Sequence, residues 1–477
     1  MTVSIRRAYG ARPSERGHPL PLAVVAAGAA VAGLAAWWAS PAAGAMGGVL
    51  AWMGVGRGRA GALALLLLVG ALAGWRSAAS WDGLAPDAVG TFTGWAALVD
   101  DPQPFGGATR VVLDVEGERF EMWARGRALR LRVDSWRGGD LVRVHGTRTA
   151  LDPVRRERVA WQHVVGKFDY EWAGDVAAGG PLARASNRVR EMLERGARGL
   201  PGDDGALFRG LVIGDDRDQP PEMIARFRSS GLSHLTAVSG SNIAFVLAVA
   251  APLTRRLRPL ARWAATLGLI GWFVSLTRFE PSILRAGVMA AISATAFALG
   301  RERSPARVLW LAVTLLLLVD PLLVRSVGFQ LSVGATAGVV ILGPRCASRL
   351  SVLGPLALPV GITLGAQLGV LLPQLLVFGA VPVVSLPANL LAVPMAGAVM
   401  LYGLPAGLVS GAVPGAAPVV MFPCRVGVRW IDSVALLAAR AEPGGVATLW
   451  CWAVVAALIA LLMLSPPGEG PSGSAFG

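Results

Sequence analysis

Histidine and cysteine are scarce in this chain, four and three respectively among 477 residues. His18, His145, His163 and His234 are too dispersed for a histidine-rich metal motif, and no Cys/His spacing matches a zinc site. Cys346, Cys424 and Cys451 lie in or beside apolar segments, so the segment 81–200 has no internal disulfide. No phosphate-binding G-x-x-x-x-G-K-[ST] loop is present for ATP. The sequence therefore predicts no metal, no cofactor and no catalytic residue. Charge is thin as well, at 16% of residues, with 30 acidic against 44 basic groups and a net of +14.

What the chain has in quantity is apolar surface. Hydrophobic residues make up 54% of it, and the mean hydropathy is +0.56. Runs such as 20–56, 60–75 and 356–424 carry no charge. A hydrocarbon layer about 30 Å thick takes about 20 such residues per helix. Lipid leaves backbone groups no outside partner, so the spans should be helices. The expected fold class is a polytopic α-helical membrane protein. The basic excess has a plain reading, since short cytoplasmic loops collect Arg. A soluble protein of this charge would suggest nucleic acid, but charge alone does not establish that here.

Arg6, Arg7, Arg12 and Arg16 precede the first span and place the N-terminus inside. Three helices then occupy 1–80, and the segment 81–180 follows on the outer side. A helical bundle at 232–464 is expected to hold successive spans, among them 232–253, 282–300, 355–378, 382–402, 405–424, 427–440 and 446–464. The basic loops "TRRLRPLAR", "RERSPAR" and "PRCASR" then all fall on one side, as the alternation requires. A disordered tail is expected at 465–477.

The segment 81–180 changes character. "GTFTGWAALV", "TRVVLDVEG", "ERFEMWA", "ALRLRV" and "GDLVRVHGTRT" alternate in part with a period of two, and glycine turns punctuate them. These strands predict an inserted extracytoplasmic all-β domain, a small OB-like barrel or a sandwich. Aromatic rings interleaved with arginines would suit single-stranded nucleic acid. Trp95, Arg110, Trp123, Arg130 and Arg132 are the candidates for such a face, although core packing claims most rings of this kind. Residues 181–231 read as amphipathic interfacial helices, too charged to span. Within them "GDDRD" at 214–218 reads as a solvated turn with an Asp–Arg pair.

The polar residues of the bundle are the other candidates. The stretch "SSGLSHLTAVSGSN" at 229–242 opens an apolar run yet carries His234, Ser239 and Asn242. Ser282 and Arg285 share one helical face, with Glu280 as a possible partner for the arginine. Gln330, Ser332, Gln367 and Asn389 recur in separate apolar segments without carboxylates. Polar groups inside a membrane face protein or water, so these residues either line a wet passage or bond neighbouring helices. A Ser239–His234 nucleophile pair is disfavoured, because five residues on a helix turn the two side chains well apart.

Together the motifs "GLVIGDDRD", "FRSSGLSHLTAVSGSNI", "PSILRAGVM", "VGFQLSVGA" and "PANLLAVP", in this order, resemble the ComEC family of competence proteins. "GGDLVRVHG" and "GKFDYEW" resemble the end of that family's external OB-like domain. The resemblance implies an inner-membrane channel for uptake of single-stranded DNA during natural transformation. It implies membrane lipid around the bundle, and a separate DNA receptor and a cytoplasmic DNA-translocating ATPase as partners. Two departures stand out. Ser241-Asn242 replace the usual Leu-His after "AVSG". The metallo-β-lactamase-like domain of many members, with its H-x-D-x-D-H motif, is not found, so a separate nuclease is expected. The rival function for the same bundle is a small-molecule or lipid transporter.

Overall fold

The computed structural model describes residues 21–55, 60–236, 240–301, 304–379 and 381–445, with scattered residues as far as 457. Three apolar helices come first: α1 (Leu22–Trp38), α2 (Pro41–Val55) and α3 (Ala60–Asp82). The β domain holds β1 (Gly90–Leu98), β2 (Gln103–Phe105), β3 (Ala108–Val115), β4 (Glu118–Ala124), β5 (Leu141–Ala150) and β6 (Val164–Ala177). Two short helices, α4 (Arg127–Val133) and α5 (Pro153–Val159), are set between its strands. Then come α6 (Pro181–Ala197), α7 (Asp204–Ile213), α8 (Pro221–Ser229) and the single turn α9 (Ser233–Thr236). The bundle continues with α10 (Gly240–Thr254), α11 (Pro259–Leu276), α12 (Pro281–Ala298), α13 (Pro305–Val319), α14 (Val327–Ala337), α15 (Gly343–Arg349), α16 (Ala357–Phe378) and α17 (Ser385–Ala412). After it come α18 (Ala417–Val420) and α19 (Phe422–Ala441).

The chain is a helical membrane protein with an inserted β domain. Among the described residues six helical stretches are long and apolar enough to cross a bilayer: Gly61–Asp82, Pro259–Leu276, Pro281–Ala298, Val327–Arg349, Ser351–Phe378 and Ser385–Ala412. Leu22–Trp38, Pro41–Val55, Gly240–Thr254 and Pro305–Val319 are apolar but shorter. Many helix starts are written in the sequence as proline at the first helical position, as in α6, α8, α11, α12 and α13. There the missing N–H costs nothing and the fixed φ already suits a helix. Large apolar side chains left exposed on α16, such as Leu358, Leu372, Leu376 and Phe378, are lipid-facing in this reading.

Two sequence expectations differ from the observed elements. "ALRLRV" is not a strand but α4. Gly126 turns the chain at φ 81°, and Leu129, Val133 and Trp136 then recur at helical spacing onto the barrel core. Leu131, the middle member of the apparent alternation, is exposed. Likewise the spans expected at 382–402 and 405–424 are not divided there: α17 runs through Pro394 and Pro405 to Ala412, and the rest of the second falls in a short turn, α18 and the start of α19. The segment 427–440 belongs to α19, whose Arg425, Arg429, Asp432 and Arg440 keep it out of the six. The expected N-terminal arginines, the span at 446–464 (apart from scattered residues) and the tail lie outside the described residues.

The β domain is a closed circuit. β1, β3, β4, β6 and β5 pair in that order, and β1 joins both β3 and β5. Every pairing is antiparallel except β4 with β6. Inside it Phe120, Phe168, Met122, Leu98, Leu113 and Trp136 are fully buried. A second core joins α6, α7 and α8 to α10, α11, α17 and α19. Within the segment 181–231, α7 packs into this core: Ala206 through Ile213 are all buried. Glycines bring two bundle helices together. At Gly334 against Gly369, and Gly338 against Gly365, a β-carbon on either side would collide with the facing backbone. This is the small-residue contact that lets membrane helices approach closely.

Candidate functional site

The barrel is joined to the bundle through buried charge. Asp101, in the loop after β1, accepts from Arg190 of α6 at 2.7 Å and from Arg278 at 3.0 Å. Its Oδ1 also accepts from the Gly138 N–H at 2.8 Å. Arg190 donates onward to the Leu276 carbonyl at 3.1 Å, and Arg278 to Asn187 Oδ1 at 2.6 Å. Arg278 and Phe279 form the tight α11–α12 turn, both with φ 57°, a backbone region that few side chains adopt. Arg137, at the turn after α4, reaches Glu194 of α6 at 2.8 Å. Four segments distant in sequence therefore share one ionic cluster.

"GDDRD" completes it. The Asp–Arg pair expected there exists, with Arg217 holding Asp215 through two bonds of 2.7 and 2.9 Å. Yet Asp215 is buried rather than solvated, and Arg209 and Arg190 face it as well. Arg209 also pairs with Asp218. Burial opposes ionisation of Asp101, but Arg190 and Arg278 overcome it and hold its carboxyl well below the usual range. The same competition is won by Arg217, Arg190 and Arg209 at Asp215, whose pKa falls to about 2.

Asp100, next to Asp101, goes the other way. Burial, then repulsion from Asp101, raises it to about 6. The consequence for stability has a definite sign. A carboxyl with a raised native pKa binds more protons folded than unfolded between about pH 4 and 6, so stability falls as pH rises through that window. Asp101 and Asp215 act oppositely, with stability lost only below about pH 4. Asp100→Asn should therefore flatten part of the decline in unfolding temperature between about pH 4 and pH 6.5. Thermal melts of both proteins across that range test it, and parallel curves would count against the assignment.

Inside the bundle the polar residues fall into separate groups. Arg285 is buried on α12, donates from Nε to Ser332 Oγ of α14 at 2.9 Å, and approaches Met289 Sδ at 2.9 Å. Gly240, at the start of α10, faces its guanidinium. Among the described residues no carboxylate pairs with Arg285, and Glu280 is exposed. Ser282 lies one turn before it on α12. Gln367 of α16 donates to Ser385 Oγ of α17 at 2.7 Å, and Asn389 donates to the Ser385 carbonyl at 2.7 Å. Asn242 is buried and donates to the Leu211 and Val212 carbonyls, at 3.4 and 3.3 Å, closing the end of α7. Gln330 bonds locally to the Val324 carbonyl at 2.8 Å. His234 is exposed on α9, and Ser239 lies outside the described residues.

On the barrel, Arg110 and Trp123 stand side by side on β3 and β4, but Arg110 is engaged by Glu121 at 3.1 Å and Gln162 at 2.7 Å. Trp123 meets the Phe105 ring edge-on and lies under Arg155. Arg130 and Arg132 are on α4, and Arg132 donates to the Ala173 carbonyl at 2.7 Å. Trp95 is elsewhere, on β1, about half exposed and paired across to Arg143 of β5. His145, two residues along β5, pairs with Trp172 of β6, also about half exposed. Trp95, Arg143 and Trp172 thus share one outward face of three adjacent strands, spaced about 4.8 Å apart. The sequence alone singled out neither Arg143 nor Asp101, and of the cluster around Asp101 it marked only the Asp–Arg pair of "GDDRD". For Arg143 the signal is its phase, shared with His145 and Thr147 along β5.

Residues 211–466 match the model of the Competence protein family. The chain is 30% identical over 198 residues to ComE operon protein 3 of Bacillus subtilis (strain 168), covering 41% of this chain and 25% of that one. It is 32% identical over 177 residues to Competence protein ComA of Neisseria gonorrhoeae, covering 34% and 25%. Similarity to the uncharacterized protein YcaI of Escherichia coli (strain K12) is 30% over 203 residues, 40% of this chain and 27% of that one. The matched stretch spans about a quarter of the length of each relative. No solved structure matches.

Proposed function

From the premise that the chain belongs to the Competence protein family, we propose that it conducts single-stranded DNA across the cytoplasmic membrane during natural transformation. The N-terminus is cytoplasmic in this reading and the barrel is external, an OB-type module that receives the strand. Its circuit, with one parallel pairing between β4 and β6, supports that type. The path through the bundle is formed by His234, Ser239, Asn242, Ser282, Arg285, Gln330, Ser332, Gln367 and Asn389. A DNA receptor and a cytoplasmic ATPase are its partners in this scheme.

The observation that carries the reading is the exposed Trp95–Arg143–Trp172 face, anchored to the bundle by the Asp101 cluster. Bases stack on exposed rings whatever their sequence, and an arginine between them meets the phosphates. Each stacked base is worth about 1–3 kcal/mol, so Trp95→Ala with Trp172→Ala should weaken binding of an oligothymidylate to the full chain at least about tenfold. The affinity should also fall steeply with salt. Fluorescence anisotropy in detergent measures both. Binding that ignores salt and the two substitutions would remove this face from the DNA path.

A further inference from the structure

We infer that the cavity between α10 and α11 is a binding site for the phosphate headgroup of an anionic phospholipid. This inference stands apart from the DNA path. The cavity measures about 190 Å³ and is lined by Leu247, Ala250, Ala251, Thr254, Arg255, Arg262 and Thr266. It lies toward the opposite end of α11 from Arg278 and the barrel, with Arg262 and Thr266 about 18–24 Å away from Arg278 at 1.5 Å per helical residue.

Two features select the ligand. The first is uncompensated positive charge. Arg255 and Arg262 line the cavity, Arg256 and Arg258 flank it, and among the described residues no carboxylate pairs with any of the four. Arg262 lies over the Phe297 ring, 5.5 Å from its centroid, which fixes its guanidinium while leaving N–H groups for an anion. The second feature is the apolar surround. Leu253, Leu257, Leu260, Phe297 and Leu299 are exposed around this end of the helices. A free anion or a nucleic-acid strand has no use for such a surface, whereas acyl chains cover it. Basic pockets between membrane helices recognise anionic headgroups by this combination.

Native mass spectrometry of the full chain in detergent tests the site, with phosphatidylglycerol and phosphatidylcholine of identical acyl chains as probes. Wild type should retain phosphatidylglycerol preferentially. The double variant Arg255→Gln, Arg262→Gln should lose at least about tenfold of that retention and fall to the phosphatidylcholine level. Arg429→Gln, on α19, should retain it fully. Arg255 is exposed, so the single Arg255→Gln keeps the test open if the double variant melts early. Equal retention of the two lipids, or retention unaffected by these substitutions, overturns the inference. So does displacement of phosphatidylglycerol by inorganic phosphate or by a short oligonucleotide, either of which would make the cavity a general anion site.

Discussion

Asp101→Ala is expected to destabilise the protein by about 3–5 kcal/mol, the cost of leaving buried charge without its partner. Domains are stable by only about 5–15 kcal/mol, so the variant should melt far below wild type. Asp101 is the carboxylate between Arg190 and Arg278, and all three side chains are largely removed from water. Without it two guanidinium groups repel each other at the joint of barrel and bundle. Arg278 also loses one of the two side-chain partners, Asp101 and Asn187, that hold it in a left-handed turn. The damage should be local at first. Amide exchange should speed up around Arg137–Asp140, where Gly138 N–H loses its acceptor, before the glycine contacts of α14 and α16 open. Asp101→Asn should be milder, since an amide oxygen can still accept from Gly138. Adding Arg190→Ala to Asp101→Ala should recover part of the loss, because it removes one orphaned charge. A melting temperature of Asp101→Ala within a degree of wild type would show that the cluster does not hold the joint.

Much of this architecture is readable from residue order, and the exceptions have physical causes. Long apolar runs identify the spans because lipid permits little else, and proline at first helical positions marks where helices begin. Most of the strands are legible from alternation and glycine turns. "ALRLRV" misleads because Leu129, Leu131 and Val133 fit a period of two, while only Leu129, Val133 and Trp136 reach the core. α17 misleads because Pro394 and Pro405 look like ends, whereas a membrane helix can absorb them through its neighbours. The polar residues of the bundle are conspicuous in sequence, but which of them meet is not. Gln367 finds Ser385 and Arg285 finds Ser332 only once helices far apart in the chain are packed. The Asp101 cluster is the least legible feature. It draws residues from a loop, a helix, a turn and the "GDDRD" stretch, none of which signals burial alone.

Arg285→Met should reduce DNA uptake about 10–100-fold in a competent host while leaving the amount of membrane-inserted protein unchanged. A hydrogen bond to a charged group contributes about 1.5–3 kcal/mol, and each 1.4 kcal/mol is a factor of ten. Arg285 is buried in the bundle, and no carboxylate among the described residues neutralises it. Such a charge inside a membrane is costly unless it faces water or serves a ligand. A passing phosphate is the anion that the proposed function supplies. Methionine keeps most of the side-chain volume, so the α12–α14 packing around Ser332 and Met289 survives. Arg285→Lys should lie between, retaining charge without the planar donor set that reaches Ser332 from Nε. Ser332→Ala should have a smaller effect, because it removes the group that aims the guanidinium and leaves the charge. A purely structural arginine predicts another pattern: Arg285→Met would lower protein level and melting temperature together, as Asp101→Ala is expected to do. Transformation frequency measured beside immunoblotted membrane protein separates the two. Full uptake by Arg285→Met at normal protein level would take Arg285 out of the path and leave the passage to the uncharged groups around Gln367, Ser385 and Asn389.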